Sequence, residues 1–241
     1  MEFIYAVRSC DELQQYQVFS DRIRQPLEDF LSFAEKNYAI CELPKAIVLT
    51  GEEIATKLIS DIPLPGYTNE HRTVFCPDIP VWQAIYLRQL EGMEDAEIRS
   101  YYESALTERH ILQILGHEFI HHSDLFIDEA YEKARWFEEG MCEYISRSYF
   151  LTEDDFREEA RINQLLVRGF EAVHGTQSLE AFCADTYHEK YAHIFCFYWK
   201  SFLAVNALVN RFQGDLMAVF QEYRRWFSES PSMPLSQWFG L

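Results

Sequence analysis

His117-Glu118-Phe119-Ile120-His121 is the stretch on which the reading turns. Residues four apart stack one turn above each other on a helix. This spacing therefore puts two imidazoles on one face, able to grip a single zinc ion. Glu118 stands beside the first of them, placed to take a proton from a water held there. The flanks predict a helix: Leu106, His110, Ile114, His117 and His121 recur at steps of three and four, and neither Pro nor a Gly pair interrupts the run. The bland alternative is a core or surface helix that happens to carry two of the chain's eight histidines.

A catalytic zinc takes three protein ligands and keeps one position open, so a third donor is needed downstream. Trp136-Phe137-Glu138-Glu139-Gly140-Met141-Cys142-Glu143-Tyr144 follows, with 17 residues between His121 and Glu139. This segment resembles the Trp-x-x-Glu-Gly-x-Ala-x-Tyr stretch of the gluzincin metallopeptidases, whose third ligand is a glutamate on a second helix. The resemblance implies a Zn2+ cofactor on His117, His121 and Glu139, with Glu118 as general base. The chain departs from the pattern in three ways. Cys142 stands where a small Ala is usual, and the spacing is one residue shorter than in the aminopeptidase N branch. The Gly-x-Met-Glu-Asn segment that grips a substrate amino terminus is missing, which removes the main support for aminopeptidase activity. Glu138 and Glu143 compete with Glu139 for the ligand role; Glu139 is chosen for its place before Gly140. Glu143 shares a helix face with Glu139. By resemblance to the thermolysin branch it is the candidate to hydrogen-bond a ligand histidine and fix its tautomer.

Composition sets outer limits. The 241 residues are 48% apolar and 16% aromatic, the make-up of a globular chain with one good core. A net charge of −18 argues against nucleic acid or an anionic membrane as partner. The start, Met1–Arg8, lacks the pattern of a signal peptide. His193–Val209 is the most apolar stretch, but Lys200, Ser201 and Asn206 interrupt it, so a buried helix is expected rather than a membrane span. Six scattered cysteines without paired spacing predict reduced thiols and a cytoplasmic protein.

Along the chain, Asp11 to about Asn37 reads as helix, kinked or split by Pro26. Ala46–Thr50 and Arg72–Cys76 read as strands, separated by a plausible helix over Glu52–Ser60 and a turn-rich loop at Pro63, Pro65 and Gly66. Val81–Leu90 is extended or helical. After Tyr149 everything reads as helix: one capped by Thr152 and stopped by Gly175, two more over about His188–Phe212 and Asp215–Phe227, and a last docked turn at Leu235–Leu241.

The expected fold class is α+β, mostly helical: one domain over 1–241, with a small mixed sheet in an upper lobe (about 40–135), a helical lower lobe (about 136–241) and a zinc cleft between. Gluzincin catalytic cores resemble this order. The resemblance returns at Tyr198-Trp199-Lys200-Ser201-Phe202, similar to the tyrosine-bearing helix of that group. It implies that Tyr198 steadies the oxyanion, with Tyr191 in reserve and Tyr187 behind it; His122, His188 and His193 are further candidates to line the cleft. The expected activity is zinc-dependent hydrolysis of a peptide or protein substrate, as an endopeptidase that lays an extended peptide against Arg72–Cys76 as an edge strand. Alternatives are a non-hydrolytic zinc protein with a binding or regulatory role, and zinc-assisted hydrolysis of something other than a peptide.

Overall fold

The computed structural model describes residues 1–93 and 95–241. Among them a four-stranded sheet has the order β1-β2-β4-β3, formed by β1 (Glu2–Ala6), β2 (Ala46–Thr50), β3 (Gly66–Thr68) and β4 (Arg72–Phe75). The first three neighbours run parallel and β3 returns antiparallel on β4, pairing Tyr67 with Val74. The sheet is thus mixed, as expected. β2 is flanked on both sides and is buried throughout, which is why it reads as an unbroken Ala-Ile-Val-Leu-Thr run and not as an alternation.

Two strands escaped the sequence reading. β1 lies in a segment where no element was expected, and β3 in the expected Pro/Gly loop. β4 was proposed as the edge strand; it is interior, and β3 is the edge on that side. The reversal between β3 and β4 lies at Asn69–His71, where Asn69 N–H donates to the Arg72 carbonyl at 3.0 Å; at the other end of the pair Cys76 N–H donates to the Pro65 carbonyl at 2.8 Å.

α1 (Cys10–Tyr38) starts at Ser9, whose hydroxyl accepts from Glu12 N–H, and runs unbroken through Pro26. The helix is not split there: Pro26 sits on the exposed face, where the carbonyl it leaves unpaired is open to water. After β2 comes α2 (Glu52–Ile54), widening into π-helical turns over Ala55–Ile59. α3 (Ile79–Arg88) and α4 (Ala96–Ser104) lead to α5 (Glu108–Ile120), which carries the two histidines at its C-terminal end. That end is tied to the end of α1: Ile40 and Ser123 form an antiparallel bridge, and Asp124 N–H donates to the Ala39 carbonyl at 3.1 Å.

The remainder is helical. α6 (Tyr131–Phe150) packs against both α5 and α8 (Tyr191–Arg211); α7 (Glu153–His174) covers α8 from another side. Thr152 caps α7 and Gly175, at φ 77°, follows its end, as read from the sequence. α8 is long and apolar enough to cross a membrane, but two-thirds of its most apolar window is buried inside the protein, the signature of a core helix. α9 (Leu216–Glu229) and α10 (Leu235–Phe239) close the chain. Phe239 stacks at 5.9 Å on Phe137, which also stacks on Tyr223 at 4.5 Å. The tail is therefore docked into the core by an aromatic contact, and one hydrophobic cluster runs from Tyr16 in α1 to Phe239 in α10.

Two glycines set the helix spacings that matter below. A Cβ on Gly116 would meet Phe150 at 2.7 Å, and one on Gly140 would meet the Ser201 carbonyl oxygen at 2.5 Å. α5 and α6 are thereby held close to their neighbours at the residues adjoining His117 and Glu139.

Candidate metal centre

α5 and α6 bring the predicted ligands together. His117 Nε2 lies 3.1 Å from His121 Nε2, and Glu139 Oε2 lies 3.2 Å from the first and 3.6 Å from the second. Donors about 2.0–2.1 Å from a tetrahedral ion are about 3.3 Å apart along each edge. The triangle therefore has the size that a zinc ion requires. Glu139 Oε2 is buried, and apart from these two imidazole nitrogens, which approach it without hydrogen-bond alignment, it has no partner.

The outer nitrogens of both rings face carboxylates. His121 Nδ1 is 2.8 Å from Glu138 Oε1. His117 Nδ1 is 3.2 Å from Glu143 Oε1, near enough for charge pairing though not aligned as a full hydrogen bond. Glu143 thus faces the His117 ring, without the full hydrogen bond expected of it. Glu138, a rival for the ligand role in the sequence, backs the second histidine instead; both contacts hold the Nε2 atoms toward one point. Glu143 is fixed in turn by Arg147 Nη2 at 2.9 Å, and Arg147 also approaches Glu159 Oε2 at 3.8 Å.

These contacts govern the titration. Burial opposes charge on His117, but Glu139 and Glu143 overcome it and raise its pKa to about 9. Burial also opposes ionisation of Glu139, yet the two imidazoles hold it well below the usual carboxylate range. Glu118 is buried, and that burial raises its pKa above the ordinary value.

Cys142 is a competing third donor. Its Sγ and one ring nitrogen from each of His117 and His121 lie within 4.8 Å of one another. Glu139 fits better for two reasons. Its carboxylate is ionised and faces the cleft, whereas burial pushes the Cys142 thiol up to about 12 and the thiol does not line the cleft.

The cleft has a volume of about 940 Å³ and is bounded by His117, Glu118, His121, Glu139, Tyr198 and β3. A second pocket of about 1050 Å³ lies beside it, with Glu70, His121, His122 and Asp128 lining both. His122 donates to or accepts from Thr68 Oγ1 at 2.8 Å, and burial lowers its pKa to about 4.

Tyr198 lies in the cleft wall, its ring 6.2 Å from that of His117. Its hydroxyl is 2.7 Å from that of Tyr187, which also reaches Glu139 Oε1 at 3.4 Å. Tyr191, the expected reserve, is elsewhere: its hydroxyl donates to the Pro63 carbonyl at 3.1 Å and Arg88 lies over its ring. As the first residue of α8 it points outward, while Tyr187 reaches the site from the 3-10 turn Ala184–His188. His188 lines the cleft; His193 does not, lying against Phe170 and His174. Sequence reasoning also passed over Arg135, a buried cation in the cleft wall. An arginine four residues before Glu139, on its face of the helix, was the available signal.

No protein-family model, curated protein or solved structure matches this chain.

Proposed function

We propose that this chain is a zinc-dependent peptidase with a zincin-like cleft of the gluzincin kind, His117, His121 and Glu139 holding the ion. The observation that carries the reading is the convergence of two Nε2 atoms and one unpartnered carboxylate oxygen on a groove wall that also bears Glu118. When bound, zinc supplies a lowered water pKa and polarisation of a substrate carbonyl.

The other steps belong to the protein. Glu118, with its pKa raised by burial, accepts the water proton and later delivers it to the leaving amine. Burial keeps Tyr198 protonated far above neutral pH, so its hydroxyl is a permanent donor to a developing oxyanion. In the free protein the Tyr187 hydroxyl donates to Glu139 and accepts from the Tyr198 hydroxyl, so the Tyr198 proton turns from Tyr187 to the oxyanion as the latter forms. The free edge of β3 offers backbone groups to an extended peptide, largely independent of side chain. The absence from the sequence of the amino-terminus-gripping Gly-x-Met-Glu-Asn segment favours an endopeptidase over an enzyme that removes terminal residues.

One observation favours a second reading: the Cys142 thiol beside the same two imidazoles would complete a closed, structural zinc site. Glu118→Gln separates the two. An endopeptidase keeps its zinc and fold in this variant and loses hydrolysis of a long peptide library. Zinc retained by both proteins, with no cleavage by either and zinc lost in Cys142→Ala, favours the structural site. Strong loss of cleavage on N-acetylation, with single residues released, overturns the endopeptidase assignment in favour of an aminopeptidase.

A further inference from the structure

Arg135 stands immediately after Ala134, whose φ of −130° and ψ of 23° break the regular turn of α6. It lies four residues before Glu139, on the same helix face, and lines the cleft together with Tyr131, Tyr187 and His188. The residue is 6% exposed. Its Nη1–H donates to the Tyr131 hydroxyl at 2.9 Å, and the guanidinium lies 4.3 Å from the centre of that ring. The Nη2–H donates to Glu132 at 2.7 Å, but the Glu132 side chain is 68% exposed, so that pairing is solvated and readily exchanged. The Nε–H is buried and has no partner.

A buried guanidinium with a spare donor needs an anion to offset its desolvation. Glu139 is committed to the two imidazoles, and Glu132 remains on the rim. Planar, forked donors of this kind match a carboxylate in a bidentate pair.

We propose that Arg135, with the Tyr131 hydroxyl beside it, is a carboxylate-binding subsite of the cleft, so that the preferred substrates are peptides carrying a carboxylate close to the scissile bond. The carboxylate comes either from an Asp or Glu side chain or from a free C-terminus. This assignment rests on the peptidase reading above.

The test uses the zinc-loaded full chain and one cleaved peptide sequence in matched forms. One arm replaces Glu by Gln at each position flanking the cut; the other compares a free C-terminus with its amide. Removing the recognised carboxylate is expected to lower kcat/KM about 10- to 100-fold, mainly through KM, the scale of one charge-assisted pair. The arm that responds identifies the source. In Arg135→Met the acid-to-amide ratio falls to within about threefold of one, and in Arg135→Lys it is intermediate because the fork is lost while the charge remains. Zinc content and far-ultraviolet circular dichroism accompany each variant; if Arg135→Met does not fold, Arg135→Lys carries the comparison. A wild-type ratio near one, or a large ratio that persists in a folded Arg135 variant, overturns the subsite and leaves the peptidase reading intact. A zinc-loaded wild type that cleaves no peptide overturns the peptidase reading and the subsite with it.

Discussion

A methyl group at position 140 tests the geometry that positions Glu139. The Cβ of Gly140→Ala would lie 2.5 Å from the Ser201 carbonyl oxygen, 2.8 Å from its carbon and 2.7 Å from Val205 Cγ2. The first two belong to the backbone of α8 and cannot swing away. Ordinary contact begins at 3.4 Å, so α6 and α8 must separate by several tenths of an ångström. Overpacking of this kind costs about 1–3 kcal/mol, and a rigid backbone contact belongs at the upper end. Replacing Gly by Ala inside a helix returns about 1 kcal/mol, leaving a net loss of about 2 kcal/mol. For a chain of this size that is a fall in Tm of about 4–8 °C. Gly169→Ala is the internal control. Gly169 lies within α7, and among the described residues its Cβ would meet only the flexible Met93 side chain, Sδ at 3.4 Å and Cγ at 3.9 Å, so the same substitution is expected to raise stability by about 0.5–1 kcal/mol. Thermal and urea unfolding of both variants, each with zinc and with chelator, measures the pair. Equal shifts, or a Gly140→Ala protein as stable as wild type, would refute the close approach of α6 to α8.

Three further outcomes are expected. Zinc uptake at pH 7 should release protons, because Glu139 and Glu143 overcome burial and raise the pKa of His117 to about 9, whereas a metal ligand must be the neutral imidazole. The stability that charged His117 adds to that chain is complete below about pH 6.5 and is lost as pH rises through 9, so zinc affinity climbs over the same window. Calorimetry in two buffers of different ionisation enthalpy measures the release, and identical heats in both would contradict it. Tyr198→Phe should lower kcat by about 10²–10³ with little change in KM, Tyr187→Phe less, and Tyr191→Phe should have no effect; a larger loss in Tyr187→Phe transfers the donor role to Tyr187. Arg147→Met should weaken zinc binding about 10- to 100-fold by releasing Glu143 from its orientation, with partial recovery in Arg147→Lys; competition with a chelating dye reads the affinity, and wild-type affinity in Arg147→Met removes Arg147 from that role.

The helical framework was legible because its signals are local. Thr152, Gly175 and Asp215 mark helix ends that the structure repeats, and the spacing of His117, His121 and Glu139 brought three donor atoms together across two helices. What was hidden depended on pairing at a distance. β1 places only Phe3, Tyr5 and Ala6 at partly buried positions, and β3 is three residues long, too short for alternation to register. Its existence rests on β4 being available as a partner, which then moves β4 from the edge to the interior. Tyr187 and Tyr191 could not be ordered from spacing, because one stands in a 3-10 turn and the other begins α8. The break in α6 at Ala134 leaves no mark in the sequence.

Burial of charge ties these parts together. His117, Glu118, Glu139, Arg135, Arg147 and Glu159 are all at most 8% exposed, and each ion removed from water costs several kcal/mol before its partners repay it. Apolar residues of similar volume would hold α5, α6 and α7 together at least as well. The charges are also not paired off as a purely structural layer would require: Glu139 Oε2, Arg135 Nε and two nitrogens of Arg147 are buried without hydrogen-bond partners. The unpartnered atoms of Glu139 and Arg135 belong to residues in the groove wall, and those of Arg147 stand behind Glu143 and His117. A core built for stability alone would have filled this layer with Leu and Phe, as the contacts among α6, α9 and α10 do. Buried polar atoms without partners also occur at Gln89, Asn163 and His193, but around the histidine pair they belong to charged residues, and a bound cation would offset the burial of Glu139.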